Sequence, residues 1–123
     1  MGQSYNGQAI KLQKLHPHIR YVIPKEGGNV WADYFVVMKQ SKNPKLAFDF
    51  INFINEPENA AKLSKVTQFA TANKTAEKFV PTEDLKNPAI YVADDVLERS
   101  DMVSLLPPRV EKKYNDIFSK IRN

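Results

Sequence analysis

The residue pair best suited to chemistry is Trp31 with Asp33, which follow the turn residues Gly27 and Gly28. The β-branched and aromatic run after this turn predicts a strand from about Val30 to Met38. Residues two apart on a strand point to the same side, so the indole and the carboxylate become neighbours. An aromatic face attracts an ammonium group by roughly 0.5–2 kcal/mol, and a carboxylate adds a charge-assisted hydrogen bond. The spacing therefore suits a site for an organic cation.

The same two residues have a purely structural interpretation. A tryptophan beside an apolar strand is more often part of a hydrophobic core, and an aspartate near the start of a strand is more often a turn or cap group. Spacing alone favours this structural interpretation, because a strand pattern fixes the direction of a side chain but not what lies opposite it.

The other polar groups do not form a pattern typical of an enzyme or a metal protein. His16 and His18 flank Pro17, and two ligands are too few for zinc. The chain has no cysteine, which excludes disulfides and thiolate chemistry. The adjacent acids Asp94 and Asp95 are typical of a helix start. We therefore predict no catalytic residues, no metal site and no cofactor.

The composition predicts one globular unit or a piece of one. The chain has 123 residues, of which 42% are hydrophobic, enough for one core. It has neither a signal-peptide pattern at its start nor an apolar run of the roughly 18–20 residues that span a membrane. The net charge is +4, but lysines and arginines are spread along the chain and mixed with acids, so a nucleic-acid partner is not predicted.

The elements that must position Trp31 and Asp33 are predicted to be a few strands and several helices, which is typical of an α/β fold. Besides 30–38, we predict a strand at 18–23 and an extended segment at 88–92. The pattern at 9–15 fits a half-buried strand or a short helix, and we favour a strand or a loose helical turn there. The segment Tyr34–Met38 should be buried on both faces. Apolar spacing, prolines and cap residues predict the following helices: about 44–55, a second from Pro57, 75–79, the turns after Pro81 and Asp94, and 108–121.

A set of motifs then gives a family resemblance. The phrase Pro24-Lys25-Glu26-Gly27-Gly28-x-x-Trp31-x-Asp33 lies between Tyr5-Asn6-Gly7 and Phe50-Ile51-Asn52-Phe53-Ile54-Asn55-Glu56-Pro57. The combination resembles the periplasmic spermidine/putrescine-binding proteins of bacterial ABC importers. The resemblance covers essentially the whole chain and corresponds to the last third of such a protein. With it, the interpretation of Trp31 and Asp33 as a cation site is favoured over the purely structural interpretation.

The resemblance implies a fragment of a two-lobed, type II periplasmic-binding-protein-like α/β fold. Residues 1–32 and about 85–123 would belong to one lobe, and residues 33–84 to the other. Trp31 would lie along the methylenes and ammonium of a polyamine, Asp33 would pair with an amine, and Tyr5 would stand where the family usually has tryptophan. A further polar contact near the C-terminal crossing aligns only loosely with 101–104, where no Gln or Asn occurs.

The resemblance also implies a periplasmic protein whose partners are a polyamine and the membrane permease of an ABC transporter. Because the family's other ligand contacts lie upstream, we expect the 123-residue chain to bind polyamines weakly or not at all, and its exposed apolar faces to favour self-association or segment exchange. Two alternatives stay open. One is a solute-binding protein of the same fold with a metal ion or oxyanion as cargo, and the other is a small basic interaction module.

Overall fold

Helices dominate the chain, with two very short strands. The structure is a computed structural model that describes residues 2–102 and 106–122. Its elements, in chain order, are α1 (Asn6–Leu15), β1 (Asn29–Val30), α2 (Pro44–Asn55), α3 (Pro57–Thr67), a 3-10 helix (Lys74–Phe79), α4 (Thr82–Leu85), α5 (Asp94–Glu98), β2 (Asp101–Met102) and α6 (Pro108–Arg122). The prediction of an α/β fold with few strands and several helices is confirmed.

The corner between α2 and α3 is set by two prolines. Pro44 and Pro57 each occupy the first turn of a helix, where a missing N–H costs no hydrogen bond. Glu56 lies between the helices with φ −55° and ψ 136°, and it serves as the C-cap of α2 and the N-cap of α3. The helices predicted at 44–55 and from Pro57 are therefore confirmed.

A small core lies between α3 and the 3-10 helix. Its buried members are Ala60, Ala61, Ala76 and Val80, with Leu85 and Tyr91 partly buried against them. Small side chains let the two helices approach closely, but they bury little apolar area each, so this core contributes less than one built from leucine or phenylalanine.

The two strands pair in parallel, with Asn29 opposite Asp101 and Val30 opposite Met102. Gly27 makes this approach possible, because its φ of +104° is in the left-handed region and a Cβ there would overlap the carbonyl oxygen of Arg99. The amide of Gly28 donates to Oγ of Ser100 at 3.0 Å. The glycine turn is thereby fixed against residues 99–101.

The prediction of a strand from Val30 to Met38, buried on both faces at Tyr34–Met38, is wrong beyond Val30. Residues 31–38 form no strand, and Tyr34 and Val36 are exposed. The predicted strand at 18–23 does not form either. A strand needs a neighbour for its backbone groups, and among residues 2–102 and 106–122 none lies beside these two segments.

Two further local predictions are corrected. Residues 6–15 form a regular α-helix rather than the favoured strand or loose helical turn, and Gly7, Ala9 and Ile10 are its buried residues. Residues 88–92 turn instead of extending, because the carbonyl oxygen of Asn87 accepts from the amides of Ile90 and Tyr91, both at 2.9 Å. Its side-chain oxygen also accepts from the amide of Ala89 at 3.0 Å.

Within the described ranges, every helix is too short or too polar to cross a lipid bilayer.

Candidate ligand-binding site

Three aromatic side chains that are distant in sequence meet at one place, and we call Tyr5, Trp31 and Phe69 the aromatic cluster. The ring centroids of Tyr5 and Trp31 are 5.4 Å apart at an interplanar angle of 72°. Those of Trp31 and Phe69 are 5.1 Å apart at 81°. Both pairs have the edge-to-face geometry that aromatic rings prefer. The contact therefore brings together two of the three residues predicted to bind ligand, Tyr5 and Trp31.

Trp31 is positioned by the strand pairing. It is the first residue after β1, whose two residues are held by β2. The indole is half-buried, so it is neither sealed inside a core nor fully exposed. A ring in this position retains part of its surface for a ligand while its neighbours restrict its motion.

Tyr5 is positioned by the start of α1. It is the N-cap residue of this helix, and its side chain is 57% exposed. Next to it, Nδ2 of Asn6 donates to the carbonyl oxygen of Ala89 at 2.7 Å. Gly7 is buried against the end of α3, where a Cβ would lie 2.6 Å from the carbonyl oxygen of Thr67. The absence of a side chain at residue 7 therefore lets α1 approach α3 closely enough for the cluster to form.

Phe69 completes the cluster, although no motif in the sequence singled it out. Gln68 ends α3 in the left-handed conformation with φ 61°. Oγ of Ser64 donates to the carbonyl oxygen of Phe69 at 2.6 Å, which fixes the chain after the helix. An aromatic residue directly after a helix end, where apolar contacts often accompany the cap, was the available signal.

Asp33 lies two residues beyond Trp31 and is exposed. Its carboxylate takes part in none of the side-chain hydrogen bonds found among the described residues, where the pair between Arg99 and Asp95 is the sole ion pair. The structure thus brings Tyr5 and Trp31 together. Asp33 lies two residues further along a segment that forms no strand, so the same-side placement predicted from strand geometry does not apply. An exposed carboxylate that makes no side-chain hydrogen bond among the described residues has its oxygens available to a cationic ligand.

The region 101–104, expected to supply a further contact, is only partly described. Asp101 and Met102 form β2, and residues 103 and 104 lie outside the described residues. Nearby, Nη1 of Arg99 donates to Oδ2 of Asp95 at 2.9 Å, and this hydrogen bond lowers the pKa of that carboxyl below its ordinary value. Because the pair is solvent-exposed, it adds little to stability.

Two surface grooves lie away from the aromatic cluster. One, of about 300 Å³, is lined by α3 residues including Lys62 and Lys65 and by Phe79. The other, of about 380 Å³, lies between residues 21–23 and 87–99. In the part of the chain that the structure describes, His, Cys, Asp and Glu side chains form no group of three that could hold a metal ion.

Comparison with known proteins gives a family match over most of the chain. The family model described as bacterial extracellular solute-binding protein matches residues 1–92. A putrescine/agmatine-binding protein of Pseudomonas aeruginosa is 29% identical over 105 residues, which cover 85% of this chain and 29% of that protein. A spermidine/putrescine-binding periplasmic protein of Haemophilus influenzae is 33% identical over 100 residues, 81% of this chain and 28% of that protein.

A putrescine-binding periplasmic protein of Escherichia coli is 28% identical over 106 residues, 86% of this chain and 29% of that protein. The chain thus spans a little under a third of the length of these relatives. The resemblance found from the glycine-turn and aromatic motifs is confirmed by these matches.

Proposed function

This chain belongs to the bacterial extracellular solute-binding protein family, and we propose that it carries part of a polyamine-binding site made by Tyr5, Trp31 and Asp33. In this proposal Trp31 provides an aromatic surface for the methylenes and an ammonium of spermidine or putrescine. Tyr5 provides a second aromatic wall, and Asp33 pairs with an amine. Phe69 contacts Trp31 edge-to-face and thereby helps to hold the indole in place.

The observation that carries the proposal is the contact of Tyr5 with Trp31. The ring centroids lie 5.4 Å apart, and the exposed Asp33 follows Trp31 by two residues in the chain. Polyamines alternate ammonium groups with apolar methylene chains, so an aromatic surface suits the methylenes and a carboxylate close by in the chain suits an ammonium group. The names of three relatives, which bind putrescine, spermidine or agmatine, support the same ligand class.

We propose a transport role outside the cytoplasm, without catalysis. The relatives are named as binding proteins, two of them as periplasmic proteins, rather than as enzymes. The partner would then be the membrane permease of an ABC importer, which receives the polyamine. A metal ion as cargo has less support, because the described residues provide no ligand cluster.

We also propose that the chain belongs to two lobes, with residues 1–32 and about 85–123 in one and residues 33–84 in the other. The pairing of β1 with β2 links the two parts of the first group. The packing of α3 against α2 and the 3-10 helix lies within the second group. The aromatic cluster, which joins Tyr5 and Trp31 to Phe69, then spans the two groups.

The test is a titration of the chain with spermidine followed by nuclear magnetic resonance. We expect millimolar spermidine to shift the indole N–H signal of Trp31 and the amide signals of residues 5 and 33. Asp33→Asn should weaken binding by up to about 1 kcal/mol, because the ammonium loses a charged partner that is exposed to solvent. The matched control is Asp49→Asn, an exposed aspartate on α2, which should leave the shifts unchanged.

Sodium chloride at equal ionic strength serves as the second control. If it reproduces the shifts, or if Asp49→Asn has the same effect as Asp33→Asn, the polyamine site is refuted. Binding of a nucleic acid that falls steeply with salt, without any response to spermidine, would point instead to a basic module that contacts phosphates.

A further inference from the structure

The first residue of α1, Asn6, uses its side chain for a contact far along the chain. Asparagine is among the preferred N-cap residues, because its side-chain oxygen accepts from a free amide of the first helical turn. Here the N-cap is Tyr5, which makes no side-chain cap hydrogen bond. The half-buried Asn6 instead donates from Nδ2 to the carbonyl oxygen of Ala89 at 2.7 Å, 83 residues away. Its side chain therefore serves a tertiary contact and not the helix end.

The acceptor of this bond lies in a turn, residues 87–91, that is itself fixed. The carbonyl oxygen of Asn87 accepts from the amide of Tyr91 at 2.9 Å. Tyr91 is partly buried against the core between α3 and the 3-10 helix, and its hydroxyl oxygen accepts from the amide of Thr71 at 3.5 Å. Thr71 follows Phe69 of the aromatic cluster by two residues. The turn is thus connected to the part of the chain that contacts the indole.

The position of the Tyr5 ring depends on how the start of α1 is held. The side chain is 57% exposed, so packing around it restrains it little. The start of α1 is held at two places, by Asn6 on the turn and by Gly7 against the end of α3. A van der Waals contact such as that of Gly7 limits how closely two helices approach. A hydrogen bond is directional, so the bond of Asn6 also fixes the rotation of α1 about its axis.

We propose that Asn6 is a positioning residue of the polyamine site: its hydrogen bond to Ala89 holds α1 in the rotation that keeps the ring of Tyr5 against Trp31. The inference rests on the proposed function, because the ring contact is the aromatic part of that site. The centroids lie 5.4 Å apart. Aromatic pairs interact at roughly 4.5–7 Å, so a displacement of about 2 Å removes the contact.

The first test uses the chain without ligand. Nuclear Overhauser contacts between the ring protons of Tyr5 and Trp31 report the pair, and far-ultraviolet circular dichroism reports the helices. Asn6→Ala and Asn6→Asp should both lose the ring contacts, because neither side chain donates to the Ala89 carbonyl at neutral pH. An acid in the first turn favours a helix, and α1 has none there, so Asn6→Asp should keep the helical signal. Asn115→Asp, an exposed position on α6, is the matched control and should keep both signals.

The second test is a spermidine titration of Asn6→Ala, Tyr5→Ala and the double variant. Each single variant should raise the dissociation constant about threefold, which is the effect of losing one exposed aromatic contact with a cation. The double variant should bind no more weakly than Tyr5→Ala, because Asn6 acts through Tyr5. If the unchanged chain does not respond to spermidine, the proposed function fails, and the ligand-free ring contacts still decide whether Asn6 positions Tyr5.

A third measurement is independent of variants that fail to fold. In the unchanged chain, a side-chain amide proton of Asn6 should exchange with water more slowly than those of the exposed Asn115. Equal exchange overturns the inference. Ring contacts that persist in both Asn6 variants, or effects of Asn6→Ala and Tyr5→Ala that multiply in the double variant, overturn it as well.

Discussion

At the scale of single residues, Gly7 determines whether the aromatic cluster can form. It brings α1 against the end of α3, where a Cβ would lie 2.6 Å from the Thr67 carbonyl oxygen and 2.9 Å from Cε1 of Phe69. The oxygen belongs to the backbone and cannot rotate away, so a larger residue must displace one of the two helices. The small size of residue 7 thus controls the contact of Tyr5 with Trp31.

We predict that Gly7→Ala destabilises the chain by about 1–3 kcal/mol through overpacking, a cost larger than the gain of up to about 1 kcal/mol from alanine's helix propensity. Thermal unfolding by circular dichroism measures the effect, and the emission of Trp31 reports the cluster. Gly2→Ala is the control, because a Cβ there meets no atom within 4 Å. Equal unfolding temperatures for the two variants would contradict the close approach.

Only some residues of the candidate site could be predicted from the sequence. Trp31 was identified from its position after the glycine turn and Tyr5 from the family resemblance, and the structure brings the two rings together. Phe69 was missed because its burial depends on a left-handed Gln68 and on the bond from Ser64, which no local pattern specifies. The role of Asp33 as a ligand contact stays a prediction.

At the scale of elements, most helices followed from the sequence, with α1 as the exception, whereas the predicted strands did not form beyond Val30. Helical spacing, caps and prolines are local signals, so 44–55 and the helix from Pro57 were predicted at their observed positions. A strand depends on a partner elsewhere in the chain. The apolar run after Trp31 has strand composition but no neighbour in the described residues, whereas the two residues Asn29 and Val30 do have one in β2.

We predict that Gly27→Ala weakens the β1–β2 pairing by roughly 1–2 kcal/mol or more, because its φ of +104° disfavours a side chain and the Cβ would overlap Arg99. Hydrogen exchange of the Asp101 amide, which donates to the carbonyl oxygen of Gly28 at 3.0 Å, measures this. The control is Gly28→Ala, whose nearest contact would be an ordinary 3.7 Å to Cγ2 of Ile23. If both variants exchange alike, the turn does not control the strand pair.

At the scale of the whole molecule, the candidate site would cover a ligand from one side only. Tyr5 and Asp33 are exposed and Trp31 is half-buried, so a ligand there stays in contact with water. Tight binding of a polyamine requires desolvation of two or more ammonium groups, and that requires several carboxylates and closure around the ligand. The described residues provide an aromatic pair and a single carboxylate at this place.

We therefore predict that the chain binds spermidine with a dissociation constant near or above the millimolar range, about −4 kcal/mol or weaker. Isothermal titration calorimetry, carried out at a concentration where sedimentation shows a monomer, measures the affinity. Putrescine is the comparison ligand, and its shorter chain should bind no more tightly. A micromolar dissociation constant for the monomer would refute a site with so few contacts.

The aromatic cluster has a consequence for how quickly the chain acquires its final state. The three rings of the aromatic cluster are far apart in sequence, so the chain must close two long loops before Tyr5, Trp31 and Phe69 can meet. In contrast, α2 and α3 form through hydrogen bonds between residues that are close in sequence. Loop closure is slower than helix growth. In a stopped-flow refolding experiment, the far-ultraviolet signal of the helices should rise first and the fluorescence of the single tryptophan should reach its native value later.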